Sequence, residues 1–303
     1  MREIKDLSLK PGAGAAETVR QLGEAGFQAS HLWEAVDMVR EMKRKRHTIF
    51  LSFTANMVAS GLRGVITDLC REKFVDAIVT TSGAIDHDII KSFKPYYKGS
   101  FDSDDVELHR KGMNRIGNIL VPTGHYEFLE KKFQPMLREI HSRGKPVSPS
   151  ELSRFVGSKL NESSFLYWCA KNDIPVFCPG ITDGAIGLQM YFFKQEKSGF
   201  TVDVTADMKE LAGLMLGAEK ASGIILGGGI SKHHVIGASI LRGGLDKAVY
   251  VSTAPEYDGS LSGARTKEAK SWGKLKETGD SVTVVGDAAV LFPLIVLGVK
   301  GEK

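Results

Sequence analysis

Ile224–His234 reads IILGGGISKHH: a short β-branched run, a glycine triplet, then residues patterned for a helix. The same order, a short apolar run followed by a longer amphipathic stretch, recurs along the chain. It is found at TIFLSF (48–53), DAIVTT (76–81), IGNILV (116–121), IPVFC (174–178), FTVDV (200–204), GIILG (223–227), KAVYVS (247–252) and VTVV (282–285). Strands that alternate with helices imply a parallel sheet covered on both faces. The expected fold class is therefore α/β, one large domain with a mostly parallel sheet flanked by helices. The helical block from about residue 15 to 46 precedes the first strand and reads as a peripheral N-terminal helical arm. The expected boundaries are 1–47 for the arm and 48–303 for the α/β domain. Ser148, Pro149, Ser150 and Glu151 form a capping box with proline at the first helical position, opening the helix SELSRFVGSKL (150–160).

Composition bounds the function classes. At 303 residues and 42% hydrophobic content the chain can bury a sizeable core. The formal charge is +4, from 40 basic and 36 acidic side chains mixed along the sequence, which gives no case for nucleic-acid binding. The cluster Lys43, Arg44, Lys45, Arg46 reads as a solvated helix end. Cys70, Cys169 and Cys178 have no metal-ligand spacing and are odd in number, which predicts buried free thiols in a reducing compartment and no metal site. The first residues, MREIKDLSLKPG, lack an apolar h-region, and no apolar run approaches about 18 residues. The expected location is the cytoplasm, with no membrane partner.

Two places carry candidate chemistry. The first is the set of predicted strand ends, where ligands of open parallel sheets lie. Thr80, Thr81, Ser82 and Gly83 follow one strand, Gly227, Gly228 and Gly229 another, and Thr253 with Ala254 and Asp287 with Ala288 the last two. Small residues there let backbone N–H groups approach a pyrophosphate, although a glycine triplet alone serves close packing as often. Asp183 or Asp287 suits ribose hydroxyls, or equally a helix cap. The second place is Glu256–Lys274, EYDGSLSGARTKEAKSWGK. A short helix opening after Arg265 sets Glu268 and Trp272 on one face, with Gly273 as its stop and Lys274 immediately beyond. A carboxylate and an indole face can hold an organic cation beside that lysine. On spacing alone, a surface helix end with a dipole-complementing lysine and a core-packed tryptophan is the favoured reading.

The segment ending in Trp272-Gly273-Lys274 resembles the signature of deoxyhypusine synthases. The resemblance extends through GFQA (26–29), TIFLSFTAN (48–56), VTTSG (79–83), NRIGNILVP (114–122), PVFCPGITDG (175–184), IILGGGISKHH (224–234), VSTAPEYDGS (251–260) and GDAAVLFPL (286–294). It implies a Rossmann-like fold of the deoxyhypusine synthase type, a homotetramer, and NAD as cofactor. Matching positions imply NAD contacts from Ala55, Asn56, Met57, Val58, Ala59, Thr81, Ser82, Gly83, His87, Asp183, Gly228, Thr253, Ala254, Asp287 and Ala288. They imply amine-substrate contacts from Asp86, His87, Leu188, His233, Gly259, Ser260, Leu261, Glu268, Trp272 and Lys274. The implied reaction oxidises spermidine beside its secondary amine and passes the aminobutyl group to Lys274 with release of diaminopropane. The group then moves to a lysine of the translation initiation factor 5A precursor, where it is reduced. Lys274 must lose its proton to attack, and His233 is implied as the general base. Lys232 and His234 receive no role.

Three positions depart from the pattern of the eukaryotic enzymes. Leu188 and Leu261 stand where those enzymes place aspartates on the amine substrate, and His87 replaces a glutamate. A buried ammonium without a counter-charge is costly. Either Glu268, Asp86, Asp88 and Asp258 compensate, or the donor differs from spermidine, agmatine being the alternative. Other readings are a homospermidine synthase that uses putrescine as acceptor, and a non-catalytic paralogue that only binds NAD or factor 5A.

Overall fold

A computed structural model provides the structure of the protein, and residues 3–301 are described. Among them run nine strands: β1 Thr48–Ser52, β2 Ala77–Val79, β3 Tyr97–Lys98, β4 Met113–Ile116, β5 Ile119–Pro122, β6 Val176–Phe177, β7 Ala221–Leu226, β8 Leu245–Ser252 and β9 Leu275–Val285. The residues fall into two compact units. One is Met1–Phe53, Phe74–Val79 and Leu211–Lys303, and the other is Thr54–Lys73 and Thr80–Glu210.

The first unit holds the parallel sheet that the strand and helix alternation implies. Its strands lie in the order β2-β1-β7-β8-β9, with Leu51 opposite Ile224, Ile224 opposite Val249 and Val249 opposite Val282. Every residue of β7 is buried, as required of a strand covered on both faces. The helix Gln28–Arg44 buries Leu32, Ala35, Val36, Val39 and Met42, a three-and-four spacing that makes one apolar stripe. The C-terminal helix Ala288–Lys300 meets that stripe at Gly298, where an added Cβ would come within 2.7 Å of Val36 and 3.1 Å of Val19. The helices before Thr48 thus pack within the first unit, and Arg40 donates to the Gly298 carbonyl at 2.6 Å.

The second unit is mostly helical and carries a small antiparallel sheet, β3-β5-β4. Here two sequence expectations need correction. IGNILV is the turn and second strand of a hairpin, because Gly117, at φ +59°, and Asn118 form a two-residue loop that brings Ile116 opposite Ile119. FTVDV forms no strand, only one bridge between Val147 and Val202. The Asp203 carboxylate turns the chain instead by accepting from the amides of Thr205 and Ala206. The capping box is present as read: Ser148 Oγ accepts from Glu151 N, and the Glu151 carboxylate accepts from Ser148 N at 3.1 Å. The three cysteines are free and buried. No described helix is long and apolar enough to cross a membrane.

One buried ion pair joins the helices of the second unit. Asp88, fully buried, accepts from Arg63 Nε at 2.5 Å, Ser164 Oγ at 2.6 Å and Leu166 N at 3.0 Å. Arg63 also donates to Ser92 and Ser163. Removing one partner leaves a buried, uncompensated charge. Asp88→Ala is therefore expected to lower the unfolding free energy by about 3 to 5 kcal/mol in a urea titration, whereas a loss under about 1 kcal/mol would mean that water reaches Arg63.

Candidate active site

In the first unit, three adjacent parallel strands deliver small residues at their carboxyl ends. After β7, Gly227 and Gly229 have φ of +79° and +72°, a region that side chains rarely adopt. A Cβ on Gly228 would lie 2.4 Å from Ser262 Cα. The triplet is thus required by backbone and packing, and it opens the helix Gly229–Ala238. After β8 come exposed Thr253 and half-buried Ala254, whose amide donates to Ser252 Oγ. After β9, exposed Asp287 caps the helix Ala288–Lys300 through Ala289 N at 2.8 Å. That cap uses Oδ1 and leaves the other oxygen for a diol. Backbone amides, small side chains and one carboxylate on neighbouring strand ends fit a dinucleotide.

The same unit contains a small cavity of about 20 Å³ lined by Lys232, Tyr250, Leu261, Glu268, Trp272 and Lys274, among others. The helix Thr266–Ser271 places exposed Glu268 in its first turn, with Trp272 following at its end. Gly273, at φ +65°, then turns the chain, and half-buried Lys274 follows. Lys274 N donates to Ala269 O, and its own carbonyl accepts from Leu245 N and Ser239 Oγ, so the backbone of this residue is fixed. Its Nζ stands 5.0 Å from the Trp272 ring centroid. The indole itself is 64% exposed. Leu261 reaches the cavity from the turn that also holds Gly259, at φ +70°, and Ser260, whose amide is taken by the Asp258 carboxylate at 2.7 Å. Asp258 is thereby engaged within its own turn.

His233 is exposed on the helix Gly229–Ala238, and the cavity is reached instead by its neighbour Lys232. Sequence reasoning passed over Lys232. The available signal was its spacing of three and four from Val235 and Ile236, both buried, which puts the lysine on the apolar face of its helix. His234 is half-buried.

The second unit groups the remaining residues around two helix starts. Thr81 Oγ1 accepts from Ala55 N at 3.1 Å, and buried Ser82 donates to Ile181 O. A Cβ on Gly83 would approach Ala55 Cβ to 2.9 Å, so the turns at 55 and 83 touch. Asn56 is exposed, while Met57, Val58 and Ala59 are buried. Lys91 donates to the carbonyls of Val58 and Ala59 at 2.8 and 2.9 Å, and burial lowers its pKa to about 8. Asp86 accepts from the amides of Ala185 and Ile186 and so caps the helix Ala185–Glu196. Asp183 precedes that helix and is exposed, and Leu188 on it is 53% exposed. His87 Nδ1 lies 2.7 Å from Tyr96 OH. Burial, with the Lys91 charge, lowers the His87 pKa to about 4, so the imidazole is neutral at pH 7. It supplies no negative charge.

Asp86 gives this unit a pH signature. Burial raises its pKa to about 6, against the opposing amide bonds. A folded value above the free one means that the fold prefers the protonated acid. That contribution is complete below the free carboxyl range and is lost as the pH rises through about 6. Asp86→Asn is expected to gain about 1 to 3 kcal/mol over the parent at pH 7.5 and to match it near pH 3.5. Urea midpoints of both proteins at the two pH values test this, and parallel curves would mean that Asp86 is solvated.

Sequence and structure comparisons agree with one another. The deoxyhypusine synthase family profile matches residues 17–299. The probable deoxyhypusine synthase of Picrophilus torridus is 42% identical over 296 residues, 97% of this chain and 95% of that protein. Its counterpart in Schizosaccharomyces pombe is 41% identical over 304 residues, 94% of this chain and 87% of that one. The crystal structure of an Entamoeba histolytica protein assigned as a deoxyhypusine synthase matches with a TM-score of 0.72 at 27% identity, over 97% of this chain and 96% of that one. A profile that spans nearly the whole sequence, relatives at this identity and a shared fold have one explanation: the chain belongs to the deoxyhypusine synthase family.

Proposed function

We propose that this protein is an NAD-dependent aminobutyl transferase acting on the translation initiation factor 5A precursor, with Lys274 as the nucleophile. The observation that carries the reading is the Lys274 amine, held at a fixed backbone position in a cavity shared with Glu268 and under the Trp272 face. An indole and a carboxylate attract an organic cation, and a half-buried amine beside them can attack that donor's carbon once it is oxidised.

Gly228, Thr253, Ala254, Asp287 and Ala288 would hold NAD in the first unit. Ala55 to Ala59, Thr81 to Gly83 and Asp183 are the second unit's candidates. Bound there, NAD would supply the hydride acceptor for oxidation of the donor and the reductant for the product. The protein's own part is positional and nucleophilic. Lys274 forms a C–N bond to the oxidised carbon as the C–N bond to diaminopropane breaks, and the acceptor lysine then displaces Lys274 from that carbon. Glu268 holds the donor's charge, and Trp272 limits water at the amine. His233 is the candidate proton acceptor. Its exposed position favours a role at the entering or leaving amine over one in the cavity interior.

Spermidine is the proposed donor and agmatine the second reading. The latter draws support from the apolar Leu261 on the cavity wall, from Leu188, and from the neutral His87. A homotetramer is consistent with the exposed apolar face of the helix Ala185–Glu196, where Leu188, Tyr191 and Phe192 stand at a three-and-four spacing.

Intact-mass measurement of the factor 5A precursor, after incubation with the protein, NAD and either spermidine or agmatine, tests the reading. An aminobutyl mass increase is expected with spermidine. An increase only with agmatine would assign the leucines to donor choice, and none with either would sink the transferase reading. Lys274→Ala is expected to leave no borohydride-trapped donor adduct and to cut turnover at least 1,000-fold, about 4 kcal/mol of barrier. Unchanged turnover would remove Lys274 from its role.

A further inference from the structure

Lys232 is 2% exposed, an environment that lysine side chains almost never occupy unless paired. Among the described residues its partners are main-chain carbonyls and a ring. Nζ donates to Leu261 O and Ala264 O, at 2.7 Å each, and lies 4.4 Å from the Tyr250 centroid. Both carbonyls belong to one tight turn, in which Gly263 N and Ala264 N fold back on Ser260 O. The chain leaves that turn through Arg265 into the helix Thr266–Ser271, which carries Glu268 and leads to Trp272 and Lys274. Lys232 therefore ties one wall of the cavity, the helix Gly229–Ala238, to the turn that supplies Leu261 on another.

We propose that Lys232 is a positioning residue for the reaction at Lys274: its ammonium clamps the Leu261–Ala264 turn and so sets the spacing between that turn and the Lys274 amine. The consequence for turnover rests on the aminobutyl-transfer reading, whereas the clamp does not. An apolar side chain at 232 would leave two carbonyls without their donor. The charge is held at a cost to the fold. Burial is the largest influence on Lys232; with Arg265 and Lys274 it lowers the pKa to about 8, against the opposing pull of Glu268. A cation kept where it is disfavoured, beside a candidate nucleophile, is the pattern of a functional site rather than of a stabilising contact.

Hydrogen–deuterium exchange of the donor-free protein reads the clamp directly. In Lys232→Met the amides of Gly263 and Ala264 are expected to exchange at least 10-fold faster, with those of β8 unchanged. Unchanged exchange in the turn, or faster exchange throughout, would overturn the proposal. With NAD and donor, the half-saturating donor concentration for borohydride-trapped Lys274 adduct is expected to rise at least 10-fold while the plateau rate falls less than 3-fold. A fall in plateau rate with no change in half-saturation would also overturn it. If the methionine variant does not fold, Lys232→Gln, which keeps an N–H donor without the charge, carries both measurements. Wild-type protein that forms no adduct with spermidine or agmatine would sink the transferase reading, and the exchange comparison would still decide the clamp.

Discussion

The first unit depends on the parallel pairing of β7 between β1 and β8. Parallel neighbours cannot be joined by tight turns, so each strand must be followed by a crossover, and helices are the compact way to make one. β7 is buried along its whole length, so those helices must cover both faces. Every strand in such a sheet points the same way, and the loops leaving β7, β8 and β9 therefore gather at one end with helix starts beside them. The candidate cofactor residues Gly228, Thr253, Ala254, Asp287 and Ala288 share that end as a consequence of strand direction, before any ligand is considered.

Charge placement sets the candidate chemistry apart from the scaffold. The Arg63–Asp88 pair is buried but fully bonded, with four serine hydroxyl and amide partners around it, and serves packing. Asp86, His87, Lys91 and Lys232 are different: burial moves each of them toward its neutral form. A fold that only needed stability would fill such positions with apolar side chains, since shifted groups of this kind cost free energy at neutral pH. Leu188 and Leu261 are apolar and His87 is neutral, so none of these three side chains carries a negative charge.

Much of the scaffold was legible in the sequence because its signals are local. Short β-branched runs marked the sheet strands, the Ser148–Glu151 capping box marked a helix start, and Gly273 marked a helix end. Two errors had equally local causes. Ile116 to Val121 reads as a continuous run unless Gly117-Asn118 is recognised as a hairpin turn. The alternation in 200–204 reads as a strand unless Asp203 is recognised as an acceptor for the next turn's amides.

The sequence by itself determined the fold class and the family, and it offered Glu268, Trp272 and Lys274 as a candidate constellation because all three lie around one short helix end. Only the tertiary structure decided that Lys232 rather than His233 enters the cavity, and that Asp86 is committed to capping the helix Ala185–Glu196. It also decided that His87 is neutral. The first two outcomes depend on partners 29 to 100 residues away in the chain and the third on burial, and neither composition nor spacing records them.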